Sequence, residues 1–238
     1  MSRGSDISAV IPKPALRRLP AYLVCLQALK TREERWVTCA YLSSQVKIES
    51  SLVRKDLAYT GLPGRQKMGY EVPALIEAIE RLIGWDNSTD AFLVGVGNLG
   101  SAILGYLGFS QYGLNIVCGF DVDPAKIGVE VHGKAVLPLE KLPDLARRMH
   151  VAIGIITCGA SAAQGVAELM VAGGIRAIWN FTQTHVQVAD DVIVENVDLA
   201  ASLAVLSTRL AEGDKARLEG HAAEGDGDLG PAGKAPAG

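Results

Sequence analysis

The sequence of 238 residues predicts an α/β protein with a small helical domain, a doubly wound parallel sheet and a closing helix. Three observations predict this fold class. Residues 11–83 combine helical apolar spacings with a glycine-bracketed hairpin. A glycine-rich turn separates a strand-like run from a helical pattern after residue 91. Short apolar runs then alternate with helical segments up to residue 196.

The first segment, residues 11–30, has leucines at spacings of three and four residues, which is typical of an amphipathic helix. Pro14 suits the start of this helix. Pro20 must either kink it or begin a second helix, because proline lacks a donor N–H. Arg17 and Arg18 point away from the leucine stripe, either as a solvated face or for phosphate contact or interdomain pairing.

Two short helices joined by a tight turn are predicted next. Thr38 is a plausible N-cap for the first, which ends near Val46, and Gly61 suits the end of the second. This is the helix-turn-helix plan, whose second helix enters the major groove of DNA. That helix turns four candidate DNA contacts outward: Ser51, Arg54, Lys55 and Tyr59.

Residues 62–72 predict a β-hairpin, because Gly64 and Gly69 bracket a basic tip. Arg65 and Lys67 at this tip would contact sugar-phosphate or the minor groove. A helix that begins at Pro73 completes a winged-helix domain over residues 1–84. Residues 11–70 hold 11 Lys and Arg against 4 Asp and Glu, a net charge of +7. The expected partner of such a face is double-stranded DNA.

The run at residues 91–94 leads into a complete G-x-G-x-x-G pattern. In a dinucleotide fold the first glycine allows the turn, the second admits the pyrophosphate and the third lets helix and strand pack closely. Asp121 ends the next strand, where it would bind ribose hydroxyls and repel a 2′-phosphate, which favours NAD(H) over NADP(H). The candidate cofactor residues of the turn are Gly95, Val96, Gly97, Asn98, Leu99 and Gly100.

Strands and helices continue to alternate after residue 121, which predicts a Rossmann domain over residues 85–197. Ligands of such sheets bind at the carboxyl ends of the strands. Four residues at these ends are therefore either walls of a nicotinamide pocket or ordinary loop residues: Thr157, Cys158, Asn180 and Phe181.

Asp198 is placed to cap a closing helix over residues 198–211, with leucines at 199, 203, 206 and 210. This leucine stripe packs either on its own domain or into a second subunit. Residues 212–238 are rich in Gly, Ala, Asp and Pro and lack periodicity, so they are predicted to be disordered.

Four widely spaced cysteines argue against a zinc ribbon or a disulfide framework and favour a reducing cytoplasm. No metal site is predicted. The first ten residues lack the apolar core of a signal peptide, and no apolar run approaches the roughly 20 residues of a membrane helix. We therefore expect a cytoplasmic protein without a membrane partner.

Several segments, in order, resemble the Rex family of redox-sensing transcriptional repressors over residues 11–210: IPKPALRRLPAYL, VRKDLAYTG, GRQKMGYEV, GVGNLGSAILGY, FDVDPAKIG and NVDLA. The resemblance implies a homodimer whose closing helix is swapped between subunits. It implies binding to an inverted-repeat operator and release when NADH replaces NAD. It also implies that Arg18, Tyr106 and Asp198 link the DNA-binding domain, the nicotinamide pocket and the swapped helix.

The sequence departs from the family pattern near the expected nicotinamide site. Cys158-Gly159-Ala160 stands where Val-Pro-Ala is common, and Thr182-Gln183 stands where Ala-Pro follows Asn-Phe. The rival class, an NAD-dependent dehydrogenase or reductase, needs a general acid or base, and only His185 among four histidines lies near a strand end. A third class, a nucleotide- or CoA-binding module, does not explain the basic front. We therefore expect a repressor and not an enzyme.

Overall fold

The computed structural model describes residues 11–225 of the chain. Its first part contains α1 (Lys13–Thr31), β1 (Trp36–Val37), α2 (Cys39–Val46), α3 (Ser50–Ala58), β2 (Tyr70–Glu71) and α4 (Val72–Ile83). The second part contains β3 (Thr89–Val94), α5 (Asn98–Gly105), β4 (Leu114–Asp121), β5 (Glu130–Val131), β6 (Lys134–Pro138), α6 (Leu142–Met149), β7 (Ile153–Ile156), α7 (Ala163–Ala172), β8 (Ala177–Asn180) and β9 (Ile193–Asn196). The last helix described is α8 (Leu199–Gly225).

The four helices of the first part share one apolar core. α1 is a single helix that runs through Pro20, so a second helix beginning at this proline is wrong. Its leucine stripe, which includes Leu19 and Leu23, is buried in contact with α4. Thr38 caps α2 as predicted, because its side-chain oxygen accepts the Tyr41 N–H at 3.2 Å.

The wing is smaller than the predicted hairpin. It closes through one bridge between Arg65 and Gly69, in which each backbone N–H donates to the other's carbonyl oxygen at 2.7 and 2.9 Å. Strand β2 pairs antiparallel with β1, a strand that the sequence did not predict. Gly69 has a φ of 85°, and a Cβ there would overlap the Val37 carbonyl oxygen, so the tip packs directly on β1.

Seven strands of the second part form one sheet in the order β5-β6-β4-β3-β7-β8-β9. All neighbouring strands are parallel except β5, which forms an antiparallel pair with β6 at one edge. The chain moves outward from β3 to β4 and β6 and then crosses to β7 on the other side of β3. The predicted doubly wound sheet is confirmed, and its crevice lies at the carboxyl ends of β3 and β7.

Helices cover both faces of this sheet, which explains the unbroken apolar run of β3. Phe92 and Val94 face the side of α6 and α7, where Phe92 meets the ring of Phe120 edge-on at 5.0 Å. Ala91 and Leu93 face the opposite side, where α5 packs. The last four side chains of the strand are therefore buried, at the end that leads into the glycine turn.

The last helix differs most from its prediction. α8 continues to Gly225, so the predicted change to disorder at residue 212 is wrong for residues 212–225. Residues 226–238 and the predicted N-terminal arm at 1–10 lie outside the described residues. The described side chains of α8, up to residue 215, are exposed, including Leu199, Leu203, Val205, Leu206 and Leu210. The stripe therefore does not pack on its own domain.

Candidate functional site

The glycine turn lies at the carboxyl end of β3, beside the end of β7. Gly95 has a φ of 97°, and a Cβ there would lie 2.5 Å from the Cys158 nitrogen. A Cβ on Gly100 would overlap the Gly95 carbonyl oxygen, whereas the space above Gly97 is open. The first and third glycines are therefore required for packing. The second leaves the N-terminal end of α5 accessible to a pyrophosphate.

The end of β7 is fastened to this turn. The Thr157 hydroxyl lies 2.8 Å from the carbonyl oxygen of Gly95 and 3.0 Å from that of Val94, and donates to them. Thr157 is therefore a structural part of the turn as well as a neighbour of the crevice. Burial raises the pKa of the adjacent Cys158 thiol, so the neutral thiol is favoured near pH 7.

Asp121 is 7% exposed and holds the turn from the other side. Its Oδ2 accepts the Val96 N–H at 2.8 Å and the Lys126 ammonium at 3.2 Å, while Oδ1 accepts the N–H groups of Val122 and Asp123. Burial alone would raise the pKa of Asp121, but hydrogen bonds from Asp123, Lys126 and Val96 together lower it. The carboxylate is therefore ionised at neutral pH, with its acceptor positions filled.

A cleft of about 360 Å³ lies at the carboxyl ends of β8 and β9. Asn180 is fully buried and organises it: its Nδ2 donates to the Asn196 Oδ1 at 2.8 Å and to the Thr184 carbonyl oxygen at 2.7 Å. Its Oδ1 accepts the hydroxyl and the N–H of Thr182. Asn180 thus shapes the cleft, which is lined by Phe181, His185 and Asp198 among others.

Tyr106 lies just past the end of α5. Its side chain is 54% exposed, and its ring meets Phe109 edge-on at 4.8 Å. Phe109 in turn contacts Trp179 at 5.6 Å, and Trp179 contacts Phe181 at 4.7 Å. The two predicted nicotinamide contacts, Tyr106 and Phe181, are therefore joined through two intervening rings.

The predicted DNA-contacting residues lie on α3 and the wing, which flank a groove of about 520 Å³ at the start of α2. Arg54, Arg65 and Lys67 line this groove. Ser51 and Lys55 are exposed on α3 outside it, and Tyr59 is half-buried at the end of the helix. The structure thus brings three of the six predicted residues to one groove, and the others extend the same basic face.

Arg18 joins α1 to α3 through a buried network. Its Nε and Nη2 donate to the two carboxylate oxygens of Asp56, each at 2.7 Å, and the Tyr22 hydroxyl donates to Asp56 at 2.7 Å. The hydrogen bond to Asp56 raises the pKa of Arg18, and burial raises that of Tyr22. The Arg18 guanidinium therefore stays ionised, and its contact with Asp56 fixes the orientation of the predicted recognition helix.

Two further contacts, one between α1 and β9 and one at the start of α8, are exposed. Arg17 donates to Glu195 of β9 at 2.7 Å, and Lys13 lies 3.6 Å from the same carboxylate. Asp198 accepts the Ala201 N–H at 2.8 Å, as predicted for a helix cap. Within the described chain Arg18 pairs with Asp56 and not with Asp198.

Three contributing residues were missed by sequence reasoning: Asp56, Lys126 and Glu195. Asp56 had a recognisable signal, since it lies between the buried Val53 and Leu57 on α3, and an acid on an apolar face requires a partner. Lys126 also had one, because it follows Asp121 by five residues within the same loop. Glu195 acts through a contact with Arg17, 178 residues away, which leaves no local pattern.

The part of the chain that the structure describes contains no helix that is long and apolar enough to cross a membrane. Over residues 11–225 there is also no group of three or more His, Cys, Asp and Glu side chains suited to a metal ion.

A basic helix-turn-helix with a wing, joined to a doubly wound sheet with a dinucleotide-type glycine turn, defines a nucleotide-responsive transcriptional regulator. Two family models match these parts separately. Residues 10–58 match the model described as putative DNA-binding protein N-terminus. Residues 86–184 match the model described as CoA binding domain.

Individual curated relatives align with both parts of the chain. The redox-sensing transcriptional repressors Rex of Bacteroides thetaiotaomicron and Caldicellulosiruptor saccharolyticus are 42% and 39% identical to this chain. The matches span 84% and 83% of this chain and 91% and 90% of the relatives. The chain belongs to the Rex family of redox-sensing transcriptional repressors.

Solved structures agree with this assignment. A Rex-family repressor, RSP, in complex with β-NAD+ and operator DNA has a TM-score of 0.81 at 34% identity, over 89% of this chain and 98% of RSP. RSP in complex with β-NADH has a TM-score of 0.80 at 33% identity, over 87% and 98%.

Proposed function

We propose that this protein is a cytoplasmic repressor that binds an inverted-repeat operator and leaves it when NADH replaces NAD. One observation carries the proposal: a single chain holds both a glycine turn braced by Asp121 and a basic groove between α3 and the wing. The RSP complexes with β-NAD+, β-NADH and operator DNA support both ligand classes. The protein would thus report the NADH/NAD ratio to transcription.

The cofactor would lie across the carboxyl ends of β3 and β7. Residues 95–100 and the start of α5 would hold the pyrophosphate, and the adenosine ribose would lie beside Asp121. Because Asp121 Oδ2 already accepts a hydrogen bond from Lys126, a ribose hydroxyl would take the place of the lysine, which is the more exposed of the two partners. We expect NADH to bind more tightly than NADPH, which calorimetry with both nucleotides measures.

The nicotinamide end would lie towards Thr157, Cys158 and the cleft that Phe181 lines, with Tyr106 nearby. Residue 158 is Cys here, and its neutral thiol supplies a small apolar wall. We assign these residues a binding role and no catalytic one. NADH absorbance should therefore stay constant when the protein is incubated with NADH alone or with small carbonyl compounds.

The DNA-binding unit would be residues 1–84, with α3 in the major groove and the wing at the adjacent backbone. Ser51, Arg54, Lys55 and Tyr59 would meet the operator from α3, and Arg65 and Lys67 would meet it from the wing. Phosphate contacts release counterions, so operator affinity should fall steeply as salt is raised.

The active form would be a homodimer joined through α8. The helix exposes a leucine stripe that no described residue of its own chain covers. An apolar cleft of about 700 Å³ lies between the two parts of the chain, lined by Pro20, Trp85, Phe109, Trp179 and Ile193 among others. Each subunit's α8 would be swapped into its partner and cover such apolar surface.

The switch would depend on Arg18, Tyr106 and Asp198. Arg18 holds Asp56 with Nε and Nη2, which leaves Nη1 for Asp198 of the partner subunit in the DNA-bound state. NADH would favour a second state in which Tyr106 takes that carboxylate. Two dimer states that the ligands stabilise unequally are what such regulation requires.

The direct test is fluorescence anisotropy of an inverted-repeat duplex, titrated with the protein in the presence of NAD and then of NADH. The duplex is one that the wild-type protein selects from a randomised library. We expect tight binding with NAD and at least a tenfold loss with NADH, about 1.4 kcal/mol of coupling. Equal affinity under both conditions would contradict redox-dependent repression.

A further inference from the structure

Trp36 of β1 lies under two arginines. The guanidinium carbon of Arg65, at the base of the wing tip, is 4.9 Å from the centre of the Trp36 ring. The guanidinium carbon of Arg35 is 5.7 Å from the same ring. Trp36 is half-buried, and both guanidinium groups lie over its ring.

The two arginines differ in what else they touch. The Nε of Arg35 donates to Glu71 at 3.3 Å, so a carboxylate offsets its charge. Arg65 has no carboxylate within ion-pair distance in the described part of the chain. Its charge is therefore held by the Trp36 ring alone and stays available to an external anion.

The backbone fixes the spacing between Trp36 and Arg65. Trp36 pairs with Glu71 across the β1–β2 ladder, and Arg65 is bridged to Gly69. Gly69 in turn packs against the carbonyl of Val37, the residue after Trp36. The backbones of the tryptophan and the arginine therefore belong to one hydrogen-bonded unit, which keeps the guanidinium within reach of the ring when no DNA is bound.

A guanidinium stacked on a ring keeps its hydrogen-bond donors free, because they point outward in the plane of the group. A free arginine loses considerable rotamer freedom when it binds, which weakens the complex. An arginine already ordered on a ring loses less. The stack therefore prepares Arg65 for contact with phosphate or the minor groove.

We propose that Trp36 is a positioning residue for operator binding, which holds the Arg65 guanidinium flat on its ring and aims its donors at the DNA. This inference rests on the proposed DNA-binding function. Trp36 itself makes no contact with the operator and acts through Arg65.

The test is a double-mutant cycle on operator affinity with Trp36→Leu and Arg65→Ala, in the presence of NAD. The probe is the inverted-repeat duplex that the wild-type protein selects. We expect Trp36→Leu to weaken binding about three- to tenfold. In the Arg65→Ala background, Trp36→Leu should change operator affinity by less than about twofold, because there is no guanidinium left to position.

Arg35 supplies the matched control, since it lies on the same ring but is paired with Glu71. In the Arg35→Ala background, Trp36→Leu should keep its full effect. Trp36→Tyr retains a flat aromatic ring and should restore most of the affinity. NADH affinity and the unfolding midpoint should be unchanged in all variants, which separates positioning from stability.

An equal loss from Trp36→Leu with and without Arg65 overturns the proposal, because Trp36 then acts only on the fold. If Trp36→Leu does not fold, NMR relaxation of the free wild-type protein decides. The Arg65 Nε should be more ordered than the Nε of the exposed Arg32, and equal order contradicts the proposal. Failure of the wild-type protein to select any duplex defeats the proposed function itself, whereas an additive cycle defeats only this inference.

Discussion

Two neighbouring arginines of α1 form ion pairs of opposite kinds. Arg18 makes a bidentate contact with Asp56, whose side chain is 2% exposed, and the Tyr22 hydroxyl donates a third hydrogen bond to the same carboxylate. Arg17 makes one hydrogen bond with Glu195, and the side chains of that pair are 71% and 46% exposed. The first pair lies within the DNA-binding part, and the second joins it to the Rossmann part.

The difference shows where the molecule is rigid and where it is free to move. A bidentate pair on a buried carboxylate holds α3 on α1, so we expect the predicted recognition helix and α1 to move as one body. An exposed pair contributes at most about 1 kcal/mol, so this contact by itself holds the two parts together only weakly. A ligand-driven switch needs this combination of stiff units and a weakly held joint.

Glu195 lies next to the cleft at the carboxyl ends of β8 and β9, so the exposed ion pair is close to this cleft. Its neighbour Asn196 is held by Asn180 at 2.8 Å, and the cleft that both residues shape also contains Asp198. Glu195 and Arg17 therefore connect this cleft to α1 through two side chains. We expect a ligand that shifts this strand end to displace them.

The largest expected effect is at the buried pair. Asp56→Ala leaves the Arg18 charge and the Tyr22 hydroxyl without their partner, so the free energy of unfolding should fall by about 3–5 kcal/mol. Denaturant unfolding of the full chain measures it. Glu77→Ala is the control, since Glu77 is exposed on α4, and its effect should stay within about 0.5 kcal/mol. Similar losses for both variants would mean that the buried pair contributes no more to the free energy of unfolding than an exposed side chain does.

Sequence reasoning succeeded where the signal is local. The glycine turn, Asp121 and the strand–helix alternation are encoded within short windows, and their geometry follows from the glycines that packing requires. The Thr38 and Asp198 caps were likewise predicted, because a cap is a contact over three residues.

The misses are contacts between distant residues and the ends of elements. Glu195 is 178 residues from Arg17, and nothing in either segment marks the other. Tyr106 fits the helical spacing of α5 but lies past its end, because the chain turns extended there. The continuation of α8 to Gly225 was missed because residues 212–225 lack an apolar stripe, although their alanines favour a helix.

The second-largest expected effect is on the ratio of operator affinities with NAD and NADH, and it is tested at Asp198, at the start of α8. Asp198→Asn keeps the cap, since asparagine caps as well as aspartate, but removes the charge that a partner's arginine needs. We expect the ratio of operator affinities with NAD and NADH to shrink by about five- to a hundredfold, within the usual range of allosteric coupling. Operator titrations with each nucleotide measure the ratio.

Asp198→Ala separates this role from capping. It removes both the charge and the cap, so it should shrink the ratio equally and also lower α8 stability by about 1 kcal/mol. If Asp198→Asn leaves the ratio at the wild-type value while Asp198→Ala changes it, Asp198 is a helix cap and not a switch residue.

The smallest effect belongs to the exposed pair. Glu195→Gln should lower the free energy of unfolding by less than about 1 kcal/mol, and added salt should shrink that difference, whereas Asp56→Ala should respond little to salt. The hydrogen bond from Arg17 lowers the pKa of Glu195 below its ordinary value of 4.5. Its contribution is therefore present above that value and is lost as pH falls through the lowered pKa.

Stability alone does not show that Glu195 carries a signal, so the decisive measurement is operator affinity. Glu195→Gln loosens the joint in both ligand states and should alter the NAD-to-NADH affinity ratio by about two- to fivefold. Asp144→Asn breaks another exposed pair, with Arg148 on α6. It should have the same small effect on stability and none on the ratio. Equal ratios for the two variants would show that the joint plays no part in the switch and that α8 alone transmits it.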